Sequence, residues 1–239
     1  MKHIYMLFVF LFAVVFGTNA YAVDVNAEAL KTAIKNNNIS AVKAFAAQGV
    51  DVNYRDNDGN TLLYTALLKN NLEAAKILID AGADVNAPSA ENGITPLIIA
   101  TSKANKLQKD AEKIMARQQG SAVEAKLKKH IASQMTTARK MLQMLIDKGA
   151  DVNQETPYGT PLMNAATNPW NIELIDILLK SEAQVNLRDR NGRTALFYGE
   201  IFGGNKIASK LLAAGADVDI KDVNGKTYME ATKEDFDEF

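Results

Sequence analysis

Proton transfer and metal ligation at neutral pH fall mostly to histidine and cysteine, and this sequence has two histidines, His3 and His130, and no cysteine. The missing cysteines remove thiol nucleophiles, redox pairs and Cys or Cys/His metal sites. His130 has no companion cluster of histidines or carboxylates, so it reads as a helix-surface or packing residue, not as a general base or a ligand. Gly203-Gly204 invites comparison with a phosphate loop, but the G-x-G-x-x-G context of strand and crossover helix is absent, and a turn between two helices fits better. No constellation amounts to an active site: the sequence predicts a protein that is not an enzyme and takes no cofactor and no metal.

Composition narrows the binding chemistry as well. Lys and Arg number 27 against 28 Asp and Glu in 239 residues, a balance that argues against a dedicated nucleic-acid binder. With 47% hydrophobic and 23% charged residues the chain is of ordinary globular type and can bury a core. Its first 22 residues stand apart. Lys2 and His3 precede an unbroken apolar run from Ile4 to Phe16, and Ala20-Tyr21-Ala22 supplies the small-residue pattern of a cleavage site. The run is 13 residues, short of the roughly 20 a membrane span needs. Residues 1–22 are therefore expected to be a signal peptide cut after Ala22, leaving 23–239 as a periplasmic or secreted domain; the lack of cysteine excludes a lipoprotein anchor.

Binding must then be carried by the architecture, and that is written as a repeat. Gly49-Val50-Asp51-Val52-Asn53, Gly82-Ala83-Asp84-Val85-Asn86, Gly149-Ala150-Asp151-Val152-Asn153 and Gly215-Ala216-Asp217-Val218-Asp219 recur, with a degenerate Glu182-Ala183-Gln184-Val185-Asn186 before the last. Successive spacings are 33, 67, 33 and 33 residues. Each unit opens on a second phrase: Thr61-Leu62-Leu63-Tyr64-Thr65-Ala66, Thr95-Pro96-Leu97, Thr160-Pro161-Leu162-Met163-Asn164-Ala165, Thr194-Ala195-Leu196 and Thr227-Tyr228-Met229. The physical reading is local. Thr caps a helix, Pro is tolerated in its first turn, Leu and Ala point inward, and Asn70 or Gly203 permits a left-handed turn into a second helix such as Leu72 to Ala81. Gly82 ends that helix, and the Asx residues beyond it favour a tight polar turn. One such unit cannot bury its own apolar face, so neighbours must stack. Lys31, Lys35 and Asn36-Asn37-Asn38 in the first unit suit a solvent-facing end, and Glu234-Asp235-Phe236-Asp237-Glu238 reads as a frayed acidic tail.

The third unit is one period too long. A hidden repeat at Gly120-Ser121-Ala122-Val123-Glu124 would fall off register, 38 residues after one matching valine and 29 before the next. Two lengthened helices forming a projecting hairpin at about 102–137 fit better. Leu97, Ala100, Ala104, Leu107, Ala111 and Ile114 make the outgoing seam, Gly120-Ser121 the tip, and Val123, Leu127, Ile131, Met135, Ala138, Leu142 and Leu145 the return. The arm carries eight basic residues against three acidic ones, a net of +5, and Lys103, Lys106, Lys109, Lys113 and Arg117 share one side.

The 33-residue period and the T-P-L-H-x-A-like phrase together resemble ankyrin repeats, from about Ala27 to the C-terminal end. The resemblance implies an all-α repeat solenoid with short β-hairpin turns, here with one extended helical-hairpin insertion. It also implies protein-protein interaction through a concave groove of hairpin tips and first helices. By that register Tyr198, Ile201 and Phe202 fall on a first helix, Arg188, Arg190 and Arg193 on the adjoining tip, and Tyr158 on the neighbouring tip, while Phe197 replaces the motif histidine and belongs to the core. The expectation is a monomeric scaffold of the cell envelope or periplasm that binds another protein, as accessory partner of an enzyme or as an immunity-type inhibitor. The alternatives are an envelope adaptor touching the membrane surface through the basic arm and a secreted, host-directed effector.

Overall fold

The structure is a computed structural model that describes residues 20–90, 93–102, 122–231 and 233–236. Its fold is an all-α repeat array, and two compact units divide the chain at Asp84 and Val85. In the first, α1 (Ala20–Lys35), α2 (Ile39–Ala47), α3 (Leu62–Leu68) and α4 (Leu72–Asp80) form two antiparallel pairs whose first helices pack together, as do their second helices. Leu30, Ile34, Leu62, Leu63, Leu67 and Leu78 are its fully buried large side chains. In the second, helical residues 96–102 are followed by α5 (Ala122–Asp147), α6 (Pro161–Ala166), α7 (Ile172–Lys180), α8 (Ala195–Tyr198), a π-helical turn at Gly199–Gly203, α9 (Gly204–Ala213) and a 3-10 turn at Lys233–Phe236. No described helix is long and apolar enough to cross a membrane.

The recurring residues do the work their types suggest. The hydroxyls of Thr61, Thr95 and Thr160 each accept the backbone N–H three residues on, capping a first helix. Thr194 holds the same position without a side-chain bond. Asn38 and Asn71 cap the second helices α2 and α4 in the same way. Asn37 and Asn70 take the left-handed conformation between paired helices, at φ 54° and 56°. In the last pair that role passes to Gly204, at φ 69°, and not to Gly203, which is right-handed at φ −82°. The π-helical turn adds a residue to the first helix and moves the reversal one position along.

Neighbouring pairs are clipped together by the asparagine that ends each repeated phrase. Asn53 donates to Gly82 O at 3.1 Å and accepts from Asp84 N at 2.8 Å. Asn86 does the same with Gly149 O and Asp151 N, 63 and 65 residues further on. Asn153 engages Glu182 O and Gln184 N, and Asn186 engages Gly215 O and Asp217 N. The series ends at Asp219, where a carboxylate replaces the amide and has no N–H to donate. The weakest geometry, 3.3 Å, is at Glu182, which stands at φ 66° where the other phrases have glycine. Because a side chain in that conformation costs about 1–2 kcal/mol, Glu182→Gly is expected to stabilise the second unit by about 1 kcal/mol in urea unfolding.

Lys31 departs from its expected role as a solvent-facing residue. Its ammonium lies 2.8 Å from Asp56 and 3.4 Å from Glu28, with 13% of the side chain exposed. The hydrogen bond to Asp56 holds the Lys31 ammonium above its ordinary pKa range. Burial works to raise the Asp56 carboxyl, but Lys31 and the N–H groups of Asn60 and Asp58 outweigh it and hold that carboxyl below its usual range.

Of the long third unit, the structure describes the chain again from Ala122. α5 is one unbroken helix of 26 residues, about 39 Å long at 1.5 Å per residue. Ala138, Met141, Leu142 and Leu145 are buried at its C-terminal end, whereas His130 is exposed. Lys103, Lys106, Lys109, Lys113 and Arg117 lie outside the described residues.

Candidate functional site

Three of the tips share one construction. In Asp189-Arg190-Asn191-Gly192-Arg193 the Asp189 carboxylate accepts from Asn191 N and Arg193 N, at 2.8 and 2.9 Å. Asp222 does the same for Asn224 N and Lys226 N, and Asp56 for Asp58 N and Asn60 N. An Asx side chain that takes both N–H groups leaves the corner residue pointing outward. Two tips are then joined: Arg188 donates to Gly192 O at 3.1 Å and to Lys221 O at 2.8 Å, and Val223 N donates to Asn191 O at 2.9 Å. The Arg188 guanidinium is therefore committed to two carbonyls, as a clasp between tips.

What the joined tips display is Arg190 and Val223, with Tyr158 on the tip before them. Tyr158 is 48% exposed, held by its own N–H to Thr156 Oγ1, and Val223 is 66% exposed. Sequence reasoning passed over Val223. Its signal was positional: it occupies the corner that Arg190 occupies one period earlier, where its own turn cannot cover an apolar side chain.

The other expected surface residues converge on the C-terminal segment. Phe236, itself buried, meets the rings of Tyr198 and Phe202 edge-on at centroid distances of 5.2 and 5.1 Å, and the Arg193 guanidinium lies over its face at 4.0 Å. Ile201 packs against the same cluster, which includes Phe197 and Ala231. Arg193 also donates to Asp235 O, and Lys226 to the Asp235 carboxylate at 2.6 Å. Two expectations are corrected. Arg193 is 3% exposed and faces inward, because Asp222 and the Phe236 ring give its charge a buried site. The acidic tail is not solvated at Asp235 and Phe236, because the ring finds an aromatic recess and the carboxylate finds Lys226. Tyr198 donates to Asp189 at 2.6 Å; burial, then that carboxylate, raises its hydroxyl well above the usual phenol range.

Trp170 is a further residue missed. It is 64% exposed on the turn joining α6 to α7, at the opposite end of these helices from the tips. The turn signal Asn168-Pro169 announced that its ring would have little to pack against. Among the described residues no group of three or more His, Cys, Asp or Glu could hold a metal ion.

Comparisons with known proteins agree with the repeat. The model for ankyrin repeats matches in three copies, at residues 7–89, 30–123 and 129–222. The chain is 29% identical to an ankyrin repeat domain from Acinetobacter baumannii AYE whose crystal structure superposes with a TM-score of 0.66, covering 84% of this chain and 88% of that one. It is 34% identical over 90 residues to the E3 ubiquitin-protein ligase Ufd4 of Drosophila melanogaster, and 34% identical over 76 residues to the palmitoyltransferase ZDHHC17 of Homo sapiens. These matches cover 38% and 31% of the chain but only 3% and 12% of those relatives.

Proposed function

The chain belongs to the ankyrin-repeat family, and from that premise we propose that it is a scaffold holding a protein partner against the tips of the unit Val85–Phe239. Ankyrin repeats are protein-binding modules, typically without catalysis of their own. One observation carries the choice of surface: consecutive tips present exposed Tyr158, Arg190 and Val223, the last two on tips closed by Asx bonds and joined through Arg188, and Tyr158 on a tip closed by Thr156. Rigidity matters because little ordering entropy is then lost on binding. Tyrosine and arginine are enriched among the residues that dominate interfaces.

The location that accompanies this reading is the cell envelope or the exterior of the cell, supported by the apolar run at 4–16 and by Ala20-Tyr21-Ala22. A tagged chain recovered from that fraction with its partner provides the assay. Tyr158→Ala combined with Arg190→Ala is expected to weaken that complex by about 2 kcal/mol, roughly 30-fold in Kd, with urea unfolding unchanged. Equal affinity in a folded double variant would remove the tips from the interface.

A further inference from the structure

The C-terminal segment is bound in the manner of a ligand. Three features of Asp235-Phe236 are read: the ring by two edge-on aromatics and a guanidinium, the Asp235 carbonyl by Arg193, and the Asp235 carboxylate by Lys226. Arg193 has 4% of its side chain exposed, and among the described residues its Nε and Nη1 have no hydrogen-bond acceptor; Asp222 Oδ2, 3.9 Å from Nε, is too far to serve. Two buried guanidinium donors with no acceptor among the described residues are a cost that an added oxygen would relieve. The described part of the segment is one 3-10 turn held by a buried ring and by the two bonds to Asp235, set against the ordering of the residues that carry it.

We propose that the recess formed by Arg193, Tyr198, Phe202 and Lys226 is a docking site for an acidic partner segment carrying a phenylalanine, and that Lys233–Phe236 occupies it as a displaceable stand-in. This rests on the scaffold reading and names the chemistry of the partner. The charges support it: Lys226 pairs with the Asp235 carboxylate of an occupant that lies within Glu-Asp-Phe-Asp-Glu, and Arg193, whose charge is set against Asp222, gives its remaining donor to the Asp235 carbonyl. The tail would then set a threshold, admitting only segments that outcompete a tethered copy of the same chemistry.

The probe is a fluorescently labelled peptide of residues 232–239, titrated by anisotropy into the full chain. Phe236→Ala in the chain is expected to empty the recess and bind the probe at least about tenfold more tightly than the wild-type chain does. Adding Phe202→Ala, at the rim, should reverse that gain, and a probe lacking its own Phe236 ring should not bind. Absence of probe binding to a folded Phe236→Ala chain would overturn the proposal. So would loss of cooperative unfolding in that variant, which would make the segment part of the core. A wild-type dimer abolished by Phe236→Ala would overturn it too, by assigning the recess to a second copy. If the probe fails while Tyr158→Ala/Arg190→Ala still weakens the native complex, the scaffold reading survives alone; probe binding with an unaffected native complex would instead defeat the tips as the interface.

Discussion

Arg193→Ala is expected to destabilise the unit Val85–Phe239 by about 3–5 kcal/mol, because it strands a buried carboxylate. The side chain of Asp222 is fully covered, and while one of its oxygens accepts from Asn224 N and Lys226 N, the other faces Arg193 at 3.9 Å. Without the guanidinium that charge has no counterion, and Phe236 loses the cation over its face. Asp222→Asn introduced together with Arg193→Ala should recover much of the loss, since the amide oxygen can still accept both tip N–H groups while the stranded charge is gone. Urea unfolding followed by circular dichroism measures both variants. A single-variant loss under about 1 kcal/mol would mean that water reaches Asp222 as soon as the guanidinium leaves.

Gly203→Ala comes next, at about 3 kcal/mol. Gly203 has ordinary right-handed angles, so its need for glycine is one of space. A Cβ there would lie 2.4 Å from the carbonyl oxygen of Ala166 and 2.9 Å from Ile207 Cβ. Neither obstacle is the free end of a flexible side chain, so α6 and the π-helical turn would have to separate, which is overpacking at its most costly. Denaturant unfolding of the variant with an unchanged midpoint would show that the two elements part freely.

The sequence reading reached the fold through properties that are local and repeated. A threonine that caps its own helix, an Asx that closes its own tip and an asparagine in the left-handed turn at Asn70 each act within a few residues, so their positions alone announced the pairs. The tips were legible for the same reason, and Tyr158 and Arg190 stand exposed on them. The contacts of Arg193, Tyr198 and Phe202 with the tail were not legible, although Phe202 keeps 36% of its surface exposed, because they are set by Phe236, a residue 34 to 43 positions downstream in a stretch whose composition suggests solvation. Composition averages a segment, whereas docking depends on one ring. Lys31 was misread by the same logic, since its partner Asp56 belongs to the next repeat. The Gly203-Gly204 turn was placed correctly but one residue early, because nothing in Gly-Glu-Ile-Phe-Gly announces a π-helical turn.

Asn86 reaches Gly149 and Asp151 with the same two bonds that Asn53 and Asn153 make across a single period. The clip therefore measures no length: it registers the two flanking repeats whatever number of residues separates them. Both partners of this clip lie outside residues 103–121, so the registration of the flanking repeats is set by residues on either side of that stretch. For a lineage, this is a place to acquire a new appendage without rebuilding the protein. For an engineer, it is where a reporter or a second module can be grafted while the tips keep their arrangement.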